Sequence, residues 1–264
     1  MHLVDTHCHL DFERFDDDRE AVIARAGENG IERMLVPGID LATSQAAVNL
    51  AETHQSIYAA VGIQPNSGLS WKDSTLIELT ALADNARVVA IGEIGLDYYW
   101  DKTPKDIQVQ IFQQQLELAR RLELPVIIHN REATEDTLAM LESWQGELSA
   151  AGSPLADRPG VMHSYSGDAS QAERALAAGF YLGISGPVTF NKAEVFRQVV
   201  AEAPLERLLL ETDAPYLTPH PYRGQRNEPA YVRYMAGKIS DIKDMPLQQV
   251  AQTTTQNAAR LFKW

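Results

Sequence analysis

The chain has 264 residues, of which 45% are hydrophobic and 22% charged, and a formal net charge of -13. That balance supports a packed core, and barrel folds of about 250 residues commonly form one domain. The acidic charge argues against a protein that coats nucleic acid or lies on a membrane surface, since both need a broad basic face. No apolar run approaches the roughly 20 residues of a bilayer span. The opening MHLVDTHCHL lacks the basic and apolar regions of a signal peptide, and the single cysteine, Cys8, fits a reducing compartment. A cytoplasmic location is therefore expected.

Eight short apolar runs read as strands: Leu3–Cys8, Arg33–Pro37, Ile57–Ile63, Val88–Ile94, Pro125–His129, Gly160–His163, Phe180–Ile184 and Leu208–Glu211. Most are continuously apolar, the pattern of a parallel sheet covered on both faces. Helical periodicity fills the gaps. DREAVIARAGENG follows the first strand, with the acids Asp16 to Asp18 suiting a helix start, and DLATSQAAVNLAETH follows the second. TPKDIQVQIFQQQLELARRLEL is the clearest helix: Thr103 is the expected cap, Pro104 suits the first turn, and Ile107, Ile111, Leu118 and Leu122 form one stripe. GELSAAGSPLADRPG reads as a surface loop or short helical insertion before the sixth strand, and NAARLFKW ends the last helix. Eight strands alternating with helices predict an α/β fold, a single (β/α)8 TIM-type barrel over residues 1–264.

The unusual polar residues fall at or near the C-terminal ends of these strands, where barrel enzymes assemble active sites from several strands. Alternation along the first strand places Asp5, His7 and His9 on one face and turns Cys8 to the other, where a small buried role is expected. Glu93 interrupts the apolar run VVAIGEIGLD, His129 ends PVIIHN, His163 follows GVM, and Asp213 follows LLLET. A lone strand-end histidine is more often a hydrogen-bonded rim residue than a ligand. A glutamate inside an apolar run is harder to dismiss, because an unpaired buried carboxylate is strongly destabilising. Together the six point to a metal site. Glu211 shares a face with Asp213 but lies deeper, so a supporting role is expected for it. His2 and His54 are expected to be solvated, and His220 is not expected to ligate.

A donor set of imidazoles and carboxylates without thiolate suits Zn, Mn, Co or Fe, and with waters Mg. Six protein ligands exceed what one catalytic ion with an open position uses, and they suit two divalent metal ions about 3.5–4 Å apart. Glu93 is the candidate bridge. Asp213 is the candidate acceptor of the proton from an attacking water. The chemistry expected is metal-assisted hydrolysis.

VDTHCHLDF, GEIGLDYYWD, PVIIHNREA, MHSYSGD and LLLETDAPYLTPHPYRGQRNEPAYV together resemble the TatD family of metal-dependent deoxyribonucleases, among the amidohydrolase-like barrels. The resemblance runs from Val4 through the C-terminal helix. The H-x-H opening is shared with many hydrolase barrels, whereas ETDAPYL with PYRGQRNEP is more specific. The resemblance implies one metal site of His7, His9, Glu93 and Asp213 and another of Glu93, His129 and His163. It also implies hydrolysis of DNA phosphodiester bonds, exonucleolytic, with single-stranded or frayed ends as substrate. No membrane association or obligate protein partner is expected, and a self-sufficient barrel suggests a monomer.

One stretch departs from the family pattern. Where the family commonly has G-x-H-P-H, this chain has GIQPN, so Gln64 and Asn66 replace two histidines. Amides can bond a phosphate or sugar but supply no positive charge. A rival reading is therefore a metal-dependent hydrolase of another ester, amide or small phosphodiester. A non-catalytic binding barrel is weakened by the retention of all six ligands. Candidate phosphate contacts are Arg131, two residues after His129, and Arg223 and Arg226 beyond the eighth strand. Pairing of these arginines with Glu132, Glu211 or Glu228 is the competing expectation. Tyr98 and the aromatics after it belong to the loop following the fourth strand, where they can stack on exposed bases or pack the loop.

Overall fold

In the computed structural model, which describes residues 1–264, eight parallel strands are hydrogen-bonded in sequence order. They are β1 (Leu3–Asp5), β2 (Ile31–Pro37), β3 (Ile57–Val61), β4 (Val88–Asp97), β5 (Val126–Arg131), β6 (Gly160–Met162), β7 (Tyr181–Ile184) and β8 (Leu208–Leu210). The helices are α1 (Arg19–Glu28), α2 (Leu41–Thr53), α3 (Thr75–Ala83), α4 (Lys105–Leu122), α5 (Thr134–Ala150), α6 (Ala169–Ala177), α7 (Glu194–Glu202), α8 (Val232–Lys243) and α9 (Leu247–Phe262). The last strand meets the first through Thr6 N–H to Leu210 O at 3.0 Å, Asp213 N–H to His7 O at 2.9 Å and His9 N–H to Ala214 O at 2.7 Å. The result is a nearly closed (β/α)8 barrel whose seam runs through the histidine pair.

Local chemistry explains the element ends. β1 stops at Asp5 because the His7 N–H turns onto the Asp5 carboxylate at 3.2 Å instead of joining a ladder. That carboxylate also accepts from the Thr212 backbone at 2.9 Å and its hydroxyl at 2.6 Å, binding the first strand to the last. Asp5 thus holds the H-x-H segment in place. Helix α2 starts at a capping box, with Asp40 accepting from Thr43 N–H. Thr103 does not cap α4: Pro104 occupies the cap position, and Thr103 lies buried with its carbonyl taken by the Gln108 amide at 2.9 Å. The polar stretch before β6 divides between the end of α5 and a short 3-10 turn, Pro154–Asp157. No helix is long and apolar enough to cross a membrane.

The larger apolar cluster lies between the strands and the surrounding helices. The smaller takes residues from every strand, including Val4, Leu35, Ala60, Ala90, Ile127, Val161, Tyr181 and Leu209, and fills the barrel interior. Leu261 and Phe262 at the end of α9 join it, plugging the barrel at the N-terminal ends of the strands. Polar chemistry is left to the opposite rim.

Candidate metal centre

His7 and His9 emerge from the irregular segment after β1 with their Nε2 atoms 3.2 Å apart. Glu93, from the middle of β4, brings Oε2 to 3.4 Å from His7 Nε2 and 3.7 Å from His9 Nε2. Asp213 Oδ1 stands 3.9 Å and 3.7 Å from the same two nitrogens. Its φ of 56° is a left-handed conformation that aspartate tolerates better than most residues. Donors around a tetrahedral cation with bonds of about 2.0–2.2 Å lie roughly 3.3–3.6 Å apart. The cage is therefore the right size for an ion.

On the other side of Glu93, its Oε1 lies 2.6 Å from His129 Nδ1, at the end of β5. The far nitrogen of that ring, Nε2, is 3.0 Å from Asp97 Oδ2. Donation of Nε2–H to Asp97 leaves the Nδ1 lone pair facing Glu93, the tautomer a metal ligand needs. His163, just past β6, also has a carboxylate beside one ring nitrogen, as an ion-pair contact. Its Nδ1 is 3.0 Å from Glu211 Oε1, which leaves Nε2 3.9 Å from Asp213 Oδ1. Its ring stacks on His7 with centroids 3.5 Å apart and 16° between planes. All six ligand-type residues therefore converge, with Glu93 touching both halves through different oxygens.

The electrostatics follow from burial opposed by close partners. Burial pushes the Glu93 carboxyl up, but His129 and His7 overcome it and hold the group well below the usual range. For Asp213 burial wins over His163 and His7, and its carboxyl is raised to about 6. His9 is lowered to about 3 by burial and by His7, so its imidazole is neutral. Burial also opposes charge on His129 and His163. Asp97 and Glu93 nevertheless raise the first to about 9, and Glu211, Glu93 and Asp213 raise the second to about 10. Four carboxylates packed against these rings form a donor set that divalent cations would neutralise, and the residues fit a metal.

Three supporting residues escaped the sequence reasoning. Asp97 lies two alternate positions beyond Glu93 on β4, and that spacing was a readable signal. Gln108 and Gln115 lie seven residues apart on the buried face of α4, among Ile111, Phe112, Leu116, Leu118 and Ala119. Gln108 accepts from Asp97 N–H at 2.8 Å and donates to Asp97 O at 2.9 Å. Gln115 does the same for the Ile63 peptide, at 2.7 Å and 3.0 Å. A polar residue repeated on an apolar stripe signals such a clamp. Here both clamps fix backbone beside the site.

The site floors a cavity of about 880 Å³. Gln64 and Asn66 line it, but their amides turn inward: Gln64 Nε2 donates to Glu93 Oε1 at 3.0 Å, and Asn66 Nδ2 to Asp97 Oδ2 at 2.9 Å. Arg131 also lines it. Arg223 lies behind the wall, its guanidinium 3.8 Å from the Phe190 ring centroid and bonded to Thr218 O at 3.0 Å. Arg226 is elsewhere. It forms a two-pronged pair with Asp18 at 2.8 Å and 2.7 Å, a partner the sequence did not suggest. Tyr98 also lies off the cavity, with its hydroxyl donating to Asp136 at 2.7 Å and the Lys105 ammonium 4.0 Å from its ring centroid. Trp100, two residues on, lines the cavity instead. His220 does not line it, and Cys8 is fully buried with Sγ 3.6 Å from Leu35 O. His54 is less solvated than expected, its side chain 20% exposed beside Glu20.

Comparison with known proteins places this geometry in a family. The model of the TatD related DNase family matches residues 4–263. An uncharacterized metal-dependent hydrolase of Bacillus subtilis, YabD, is 46% identical over 261 residues, covering 99% of each chain. A protein of Cronobacter sakazakii named as the 3'-5' ssDNA/RNA exonuclease TatD is 36% identical over 254 residues, covering 94% of this chain and 93% of that one. The crystal structure of the Escherichia coli TatD homolog YjjV superposes with a TM-score of 0.91 at 35% identity, covering 99% of this chain and 98% of that one. With the barrel and nearly the whole sequence matched, the chain belongs to the TatD family and is a metal-dependent hydrolase.

Proposed function

We propose that the chain hydrolyses phosphodiester bonds at the ends of single-stranded or frayed DNA, using two divalent cations (Zn, Mn or Mg). The observation that carries this reading is the position of Glu93. One oxygen serves His7 and His9 and the other His129, at the floor of a cavity whose cations Lys102, Arg131 and Lys192 carry no ion pair. The relative named as a 3'-5' ssDNA/RNA exonuclease supports the choice of substrate.

His7, His9, Glu93 and Asp213 would hold one cation, and Glu93, His129 and His163 the other. Bound there, divalent cations supply Lewis acidity and lower the pKa of water. Asp213 reaches the cavity with its side chain 15% exposed and accepts the proton of the attacking water. Asp97 and Glu211 keep His129 and His163 in the ligating tautomer. Arg131, Lys102 and Lys192 neutralise phosphate oxygens along the cavity, and arginine does so with two parallel donors.

End-labelled single- and double-stranded DNA incubated with metal-reconstituted protein tests the reading, with His129→Ala and Asp213→Asn alongside. Stepwise shortening that vanishes in both variants supports it. Shortening that survives in both points to a contaminant. A small-ester hydrolase is the second reading, favoured by the neutral, inward-turned amides of Gln64 and Asn66. Robust cleavage of small esters with intact DNA would establish it instead.

A further inference from the structure

Beside the metal centre two exposed aromatic side chains, which take no part in holding the cations, stand against the cavity's unpaired Arg131 and Lys102. The loop after β4 carries Tyr99 and Trp100, 48% and 46% exposed, with ring centroids 4.8 Å apart and planes at 90°. Large aromatics left half in water forgo burial that would stabilise the fold. The Arg131 guanidinium lies 3.8 Å from the Tyr99 centroid and 5.4 Å from that of Trp100, and the Lys102 ammonium lies 5.8 Å from Trp100. Neither cation is paired with a carboxylate, although Asp and Glu outnumber Lys and Arg by 36 to 23 in this chain. Elsewhere Arg19, Arg25, Arg174 and Arg226 are all paired with acids.

The group is also held in register with the reacting centre. One oxygen of Asp97 accepts the N–H groups of Tyr99 at 3.0 Å and Trp100 at 3.1 Å. The other faces His129 Nε2 at 3.0 Å. One carboxylate thus fixes both a metal-ligand ring and the aromatic loop. Arg131 is two residues beyond that same ring on β5. Exposed aromatic faces with unpaired cations are the combination that binds unpaired nucleotides, because every base offers a π-face and every linkage a negative charge.

We propose that Trp100, Tyr99, Arg131 and Lys102 form a ledge that stacks one unpaired base of the strand and holds its adjoining phosphate while the end nucleotide occupies the metal centre. The ledge rests on the nuclease reading and deepens it, explaining how an acidic protein grips a polyanion without a basic face. Stacking takes place on Trp100, the ring that borders the cavity. Arg131 and Lys102 supply the phosphate contact. The ledge selects single strands, since a base inside a duplex has both faces covered by its stacked neighbours.

Equilibrium binding of a fluorescein-labelled, phosphorothioate-linked oligothymidylate tests the ledge, using metal-loaded protein and fluorescence anisotropy. Wild type is compared with Trp100→Ala, Trp100→Phe and Arg131→Ala. Each is also measured on strands bearing one abasic residue at successive positions from the 3' end. Trp100→Ala is expected to weaken binding about 5- to 100-fold and Trp100→Phe to retain most of it. One abasic position should weaken wild type by a similar factor and add nothing in Trp100→Ala, the coupling expected of partners in contact. Arg131→Ala should flatten the dependence of log affinity on log salt by about 0.7. Binding of Trp100→Ala within twofold of wild type, or an abasic penalty that survives in it, overturns the ledge. If wild type shows the coupling but cleaves no natural strand, the nuclease reading falls and the ledge stands as a single-strand binding site. If it cleaves strands without the coupling, the ledge alone falls.

Discussion

Replacing Asp97 by asparagine removes one charge and one acceptor from a residue that accepts four hydrogen bonds. Oδ1 takes the N–H groups of Tyr99 and Trp100, and Oδ2 takes Asn66 Nδ2 and His129 Nε2. An asparagine that keeps its oxygen toward the backbone presents an amino group to two donors. Turned the other way, it strands two backbone N–H groups. Two hydrogen bonds are lost either way. With bonds to a charged group at about 1.5–3 kcal/mol each, loss of two should cost the fold about 3–6 kcal/mol. His129 can then move its proton to Nδ1, which aims N–H at Glu93 Oε1 and withdraws the lone pair from the metal centre. Loss of such an outer partner typically weakens metal binding about 10- to 100-fold. Competition against a chromophoric chelator measures that loss, and urea denaturation measures the stability. The His129→Ala background supplies the control, because an effect transmitted through the ring must vanish there. Metal affinity within twofold of wild type, or an equal loss in the His129→Ala background, would refute the tautomer argument.

Gln108→Leu strips partners from both backbone groups of Asp97 and from Thr103 O, and should cost about 3 kcal/mol in urea denaturation. A change below about 0.5 kcal/mol would mean that water replaces the amide. Gly183→Ala drives a Cβ into Glu211 Oε2 and to 2.7 Å from its Cδ, and the fully buried Glu211 has nowhere to retreat. About 1–3 kcal/mol of stability should be lost with a fall in metal affinity; an unaltered metal titration would show that Glu211 does not orient His163. Arg226→Ala breaks a half-exposed pair with Asp18 and should cost at most about 1 kcal/mol. Its hydrolysis of labelled DNA should stay within twofold of wild type, and a tenfold fall would return this arginine to the substrate path.

The barrel was legible because its strands are sandwiched between an apolar interior and apolar helices, so their sequences are nearly continuous hydrophobic runs. A charged or imidazole side chain within or at the end of such a run stands out, and this exposed all six ligand-type residues from His7 to Asp213. Strand ends were less legible. β1 stops early because the Asp5 side chain competes for the His7 N–H, and Thr103 has no capping role because the helix begins one residue later, with Pro104 at the cap position. Side-chain-to-backbone bonds of this kind leave little trace in periodicity. The arginines were least legible. Arg131 and Arg226 look alike in one dimension, and only the path of the chain sets one over Tyr99 and the other against Asp18.

The sequence by itself determined the barrel, the family and the identity of the metal-ligand candidates, since these follow from local hydrophobic pattern and from residue types that are costly to bury unpaired. Tertiary structure decided how the ligands are served. It set Asp97 behind His129 and Glu211 behind His163, turned Gln64 and Asn66 onto carboxylates, and left Trp100 and Arg131 facing the cavity. Those assignments depend on distances of about 3 Å between groups up to dozens of residues apart, and hydrogen-bond energies fall away over a fraction of that distance.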